Sequence, residues 1–166
     1  MAVAEIIGAA MGVLLLVVVA YLLVGGTLTT AETVVTAQKD ITLMQEARLR
    51  TSIIITDPKI DDNTNTLNFN ITNNGNEMVS DLPHMDVFSF NTTTGASYGY
   101  THYTYDRYNL GGSGNWSIAG FENDYIHAKQ LDSGVNMTII TTFYADSRPD
   151  HIQVTTGNGV SAVSPA

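Results

Sequence analysis

Residues 6–25 pass without one charged side chain and consist mostly of Leu, Val, Ala, Ile and Gly. The hydrocarbon core of a bilayer, about 30 Å thick, takes roughly 20 such residues as a helix. Within lipid each backbone polar group must find its partner inside the segment, so a helix is the form that a single apolar run can take there. A removable secretory signal would open on basic residues and close on a small-x-small cleavage site. Here Glu5 precedes the run, no Lys or Arg does, and Ala20-Tyr21-Leu22 is a poor site. The run therefore reads as a retained helix, a transmembrane segment over residues 1–26. Its flanks carry too little charge to orient it by the positive-inside rule. Ala4, Gly8 and Gly12 recur at fours, a stripe of small residues along which two membrane helices can approach closely, so Gly8 and Gly12 are candidate helix-packing positions.

The helical pattern outlasts the apolar run. Leu28, Ala31, Val34, Val35, Ile41, Met44 and Ala47 recur at threes and fours, with Glu32, Lys39, Asp40, Glu46 and Arg48 between them. This spacing predicts an amphipathic stalk over residues 27–50, continuous with the membrane helix, although six threonines in residues 27–42 lower its intrinsic propensity.

From residue 51 the period changes to two. Ile53, Ile54 and Ile55 form a β-branched run that Asp57-Pro58 is expected to end, and Leu67, Phe69 and Ile71 alternate with Asn68, Asn70 and Thr72 before the turn Asn73-Asn74-Gly75. Further strands are predicted over residues 85–90, 98–105, 125–131, 135–144, 152–156 and 160–163, the last two joined through Gly157-Asn158-Gly159. Short strands at about ten-residue spacing with no helical pattern between them predict an antiparallel β-sandwich of immunoglobulin-like architecture over residues 51–166. The fold class is α+β and membrane-anchored: a long N-terminal helix, then an all-β sandwich.

Chemistry is sparse in this domain. The formal net charge is -9, with only seven Lys and Arg among 166 residues, which argues against nucleic acid as a partner. There is no cysteine, hence no disulfide, thiolate or Cys-based zinc site. Asp61-Asp62-Asn63-Thr64-Asn65 opens like a calcium loop, but Thr66 and Thr72 stand where the glycine and glutamate belong, so a solvated turn is expected. His84, His102, His127 and His151 share no metal-ligand spacing, and Gly111-Gly112-Ser113-Gly114 lacks the lysine of a phosphate loop and reads as a flexible loop. No catalytic, cofactor-binding or metal residue is assigned, and no enzyme is expected. Two features point to binding instead. Tyr98, Tyr100, Tyr103, Tyr105, Tyr108 and Trp116 crowd into one Ser-, Gly- and Asn-rich stretch of the kind that makes adaptable contact surfaces; tyrosines lying on a sheet would give the same pattern. Asn70, Asn91, Asn115 and Asn136 head N-glycosylation sequons, which favours an extracytoplasmic domain.

An apolar N-terminal helix, an amphipathic stalk and a β-sandwich resemble the plan of archaeal type IV pilin-like proteins. Residues 45–90, QEARLRTSIIITDPKIDDNTNTLNFNITNNGNEMVSDLPHMDVFSF, and the closing IQVTTGNGVSA of residues 152–162 are similar to the archaellum accessory proteins of the FlaF/FlaG family. The resemblance implies a non-enzymatic stator component of the archaellum, the archaeal motility filament. Its anchor would lie in the membrane, and its extracytoplasmic sandwich would hold the motor against the envelope through the S-layer or another envelope protein, other archaellum subunits or a second copy of itself. A filament subunit, archaellin or adhesive pilin, resembles the same helix, with Glu5 at the position where many mature pilins carry glutamate; there it would be buried in an apolar bundle and need a partner. Met1 without a basic leader favours the accessory protein, unless the chain is already processed. A generic anchored envelope-binding domain needs only the helix and the sandwich.

Overall fold

The computed structural model describes residues 2–93, 97–108 and 112–166 of the chain. One α-helix, α1, runs without interruption over Ala2–Arg50. Its threonines are accommodated by back-bonding: the hydroxyls of Thr29, Thr30, Thr33, Thr36 and Thr42 donate to the carbonyl four residues earlier at 2.8–3.0 Å, and Thr27 donates to Val24 at 2.9 Å. Each hydroxyl is thereby satisfied by the helix itself, at a slight cost in helix stability. The chain divides into two compact units, one ending at Met44 and the other spanning Gln45–Ala166.

Within the second unit eight strands follow: β1 (Ile53–Asp61), β2 (Thr66–Asn73), β3 (Asp86–Thr93), β4 (Ser97–Tyr105), β5 (Asn115–Glu122), β6 (Asn136–Thr142), β7 (His151–Thr155) and β8 (Ser161–Pro165). Their order is β1-β2-β6-β5-β4-β3-β7-β8. The antiparallel quartets β1-β2-β6-β5 and β4-β3-β7-β8 are the two layers of an immunoglobulin-like sandwich. Among the described residues two parallel pairs, Thr104 with Asn115 and Tyr105 with Trp116, join the layers at the β4–β5 corner. Alternation fills the core. Leu67, Phe69 and Ile71 of β2 meet Met137 and Ile139 of β6, with Val87, Tyr103, Trp116, Ile152 and Val154 from the other strands, all at most 1% exposed.

Three expectations are corrected. Asp57-Pro58 does not end β1: the strand carries a bulge between Thr56 and Lys59, with Asp57 at φ 53°, and resumes its pairing to Asp61. Proline is admitted because β1 is an edge strand and the bulge removes the need for its missing N–H. Residues 125–131 form a loop. Lys129 N donates to Asp124 Oδ2 at 2.8 Å and His127 N to Asp132 Oδ2 at 3.2 Å, so carboxylates meet these amides in place of a ladder, and Leu131 pairs in an isolated bridge with Val79. The strand β5 was not expected. A bulge between Ile118 and Gly120 shifts its apolar positions from Trp116 and Ile118 to Phe121, which breaks the period of two. With β5 comes the β4–β5 parallel pairing, a departure from a wholly antiparallel sandwich.

The end of α1 is built into the second unit. Asn76 N and Glu77 N donate to the Arg50 carbonyl at 2.9 and 3.2 Å, and Asn158 Nδ2 donates to Thr51 Oγ1 at 2.7 Å. The turn after β2 thus caps a helix carbonyl that would otherwise lack a partner. A Cβ on Gly75 would run into the Arg50 carbonyl oxygen and the Ser52 amide nitrogen, so only glycine lets this turn approach so closely.

Candidate functional site

The first candidate site is the surface of α1. Its apolar residues lie uncovered on every side, with Leu14, Leu16, Leu22 and Val24 between 59 and 71% exposed. A helix that is apolar all round calls for lipid or other helices, not water. The helix is long and apolar enough to cross a membrane. A Cβ added at Gly8 or Gly12 meets nothing within 4 Å, so both small positions are open to a neighbour. Glu5 stands exposed in the first turn, where a carboxylate complements the positive end of the helix dipole.

The aromatic stretch divides by strand alternation. Tyr103 and Trp116 are 1% exposed and belong to the core, which corrects their reading as contact residues. Tyr103 Oη lies 2.9 Å from Ser89 Oγ, giving each buried hydroxyl a partner, and burial pushes the Tyr103 phenol above its ordinary pKa. Tyr105 is half-buried against Trp116, ring centroids 4.7 Å apart. Tyr100 and Tyr108 are 73 and 76% exposed and can meet a partner. The side chain of Tyr98 and the residue Gly111 lie outside the described residues.

Tyr100 has company. It sits directly opposite Phe90 on β3, which in turn faces His151 on β7, and the neighbouring pair Phe88–His102 stacks with centroids 4.7 Å apart. These residues give the outer face of β3-β4-β7 an aromatic patch on which Phe90 is 40% exposed. Only Tyr100 was read from sequence as a contact residue; His102 lies on the same strand, and Phe88, Phe90 and His151 join them from β3 and β7 through register. Tyr125 and Ile126, 87 and 78% exposed at the tip of the β5–β6 loop, were also missed. The carboxylates Asp124 and Asp132 flanking them were the available signal.

The sequon asparagines all lie in strands and are half-buried. Asn70 Oδ1 accepts from Thr138 Oγ1 at 2.8 Å and Asn136 Oδ1 from Thr72 Oγ1 at 2.7 Å, a cross-strand ladder between β2 and β6. Asn91 Nδ2 donates to Ser147 Oγ at 3.2 Å, and Asn115 opens β5. The Asp61–Asn65 turn is exposed as expected; Asn63 N donates to Asp61 Oδ1 at 2.9 Å, which holds that carboxyl below its ordinary pKa. His84, His102 and His127 each meet one aspartate, Asp81, Asp86 and Asp132, at 2.6–3.1 Å. Among the described residues no three His, Asp or Glu side chains could hold a metal ion together.

No family model matches this chain, and no curated protein does. Among solved structures the chain is similar to the archaellum periplasmic stator protein FlaG from Sulfolobus acidocaldarius, at 21% identity and a TM-score of 0.48 over 69% of this chain and 97% of that one. It is similar also to the archaellum periplasmic stator protein complex FlaF and FlaG from the same organism, at 21% identity and a TM-score of 0.48 over 68% of this chain and 85% of the matched one.

Proposed function

We propose that this chain is a non-enzymatic structural component of the archaellum machinery, held in the cell membrane by α1 and presenting its sandwich outside the cytoplasm to hold the motor against the envelope. The observation that carries the reading is the uninterrupted helix of 49 residues, apolar and uncovered in its first half, in a chain whose remaining residues fold as their own compact sandwich. At about 1.5 Å per residue such a helix is more than twice as long as a bilayer core requires, which leaves helix for a stalk. The resemblance of residues 45–90 and 152–162 to the accessory family supplies the archaellum. The partners are the S-layer or another envelope protein, further archaellum subunits and a second copy of the chain, met by the aromatic face around Tyr100 and by the sheet edges; the sequons make the domain a candidate glycoprotein. Immuno-electron microscopy of intact cells tests the assignment. Label confined to the base of the archaellum is expected, and label repeating along the filament would replace it with a filament subunit.

That second reading, an archaellin or adhesive pilin packing through its helix, is favoured by the open stripe at Gly8 and Gly12. In a filament Glu5 would be buried and paired, whereas in a lone anchor it rests at the membrane surface.

A further inference from the structure

The corner at which the sandwich layers join is incomplete. Among the described residues β4 reaches β5 at Asn115 and Trp116, where Asp106 N closes the pairing by donating to the Trp116 carbonyl at 2.7 Å. From Ile118 to Glu122 the described residues pair β5 with β6 alone. Along an antiparallel ladder alternate residues turn both backbone groups to the same side, so Ile118 follows Trp116 and offers its N–H and C=O to the side that β4 has left. A cleft of about 510 Å³ lies along this free edge. Its apolar walls include Leu82, Pro83, Tyr105 and Phe121, and it is also lined by Arg107 and Lys129.

Two details of the cleft bear on what it could hold. Gly120 lines it just past the bulge that follows Ile118; a Cβ there would meet nothing within 4 Å, and its φ is not left-handed. Glycine inside a strand marks a bulge or a place where another backbone comes close, and here the bare backbone leaves the cleft room for one. The second detail is charge. Arg107 and Lys129 are two of only seven Lys and Arg in a chain of net charge -9, and among the described residues no carboxylate lines the cleft with them and neither makes an ion pair.

We propose that the free edge of β5 binds an extended acidic peptide segment of a partner protein, which adds to the sheet as a strand. The segment's backbone pairs with β5 from Ile118 onward, its apolar side chains lie against Leu82, Tyr105 and Phe121, and its carboxylates meet Arg107 and Lys129. Four strand residues span about 13 Å, so the segment is short. This inference needs only the open edge and stands whether or not the chain serves an archaellum.

The test uses the full chain in detergent micelles and fluorescence anisotropy with labelled, end-blocked peptides. The probes are a peptide alternating valine with glutamate, its counterpart with lysine for glutamate, and the glutamate peptide N-methylated at alternate amides. Expected is binding of the glutamate peptide about tenfold or more tighter than either control. Arg107→Glu with Lys129→Glu should reverse the charge preference. Gly120→Val, which has room to fold, should abolish binding while the melting temperature holds. Equal binding of the two charge forms, undiminished binding of the N-methylated peptide, or unchanged affinity in Gly120→Val would overturn the proposal. So would a dimer of the full chain that Gly120→Val dissolves without any peptide binding, since the occupant would then be a second copy.

Discussion

Trp116 and Tyr103 have the composition of contact residues and the position of core residues. Trp116 is 1% exposed in the layer corner, so Trp116→Ala should lower stability by about 3–5 kcal/mol in chemical denaturation. Tyr100→Ala, on the aromatic face, should stay within about 0.5 kcal/mol and weaken partner binding instead. Tyr103→Phe strands the Ser89 hydroxyl, itself 2% exposed, and should cost about 1–3 kcal/mol at neutral pH. The same residue sets an alkaline limit. Burial raises the folded-state pKa of Tyr103 above the ordinary value of 10.0, so above that pH the unfolded chain has released a proton that the fold still holds. Stability is therefore fully present below pH 10 and falls as pH rises through the folded value, a loss that Tyr103→Phe should reduce in denaturation curves taken across that range. His84 moves in the opposite chemical sense, with its imidazolium favoured by the hydrogen bond it donates to Asp81, so its NMR titration should lie above 6.5 and return there in Asp81→Asn.

At the scale of elements, legibility followed locality. α1 was readable from its unbroken apolar run and the spacing at threes and fours that follows it, and β2, β3, β4 and β6 from apolar and β-branched residues that stand close together within each strand. β5 was not, because its bulge at Ala119 reverses which parity faces the core, and the loop at residues 125–131 was mistaken for a strand because its carboxylate caps act across five residues rather than between neighbours. The turn at Gly75 binds the end of α1 to the sandwich, and Gly75→Ala should cost about 1–3 kcal/mol as the methyl group meets backbone atoms of Arg50 and Ser52. Calorimetry would register it as a lower transition temperature of the sandwich. In α1, Gly8→Leu with Gly12→Leu has free space to fold into and should leave that transition unchanged, while cross-linking in lipid vesicles reports the loss of any close helix pairing along the stripe.

For the whole molecule, the uncovered apolar surface of α1 decides where the chain can reside. Alkaline carbonate, which strips peripheral proteins, should leave the full chain in the membrane pellet; its release to the supernatant would contradict anchoring by α1. What the amino-acid order determined by itself is the helix, the change to period two after residue 50 and the sandwich class, since hydrophobic periodicity is written in consecutive residues. The tertiary structure alone decided which aromatics are core and which are surface, that Phe88, Phe90, Tyr100 and His151 share a face, and that β4 stops short and leaves a cation-lined edge on β5. Each of these depends on strands that lie far apart in the chain and meet only through register, and a single bulge is enough to turn a side chain from one face of a sheet to the other.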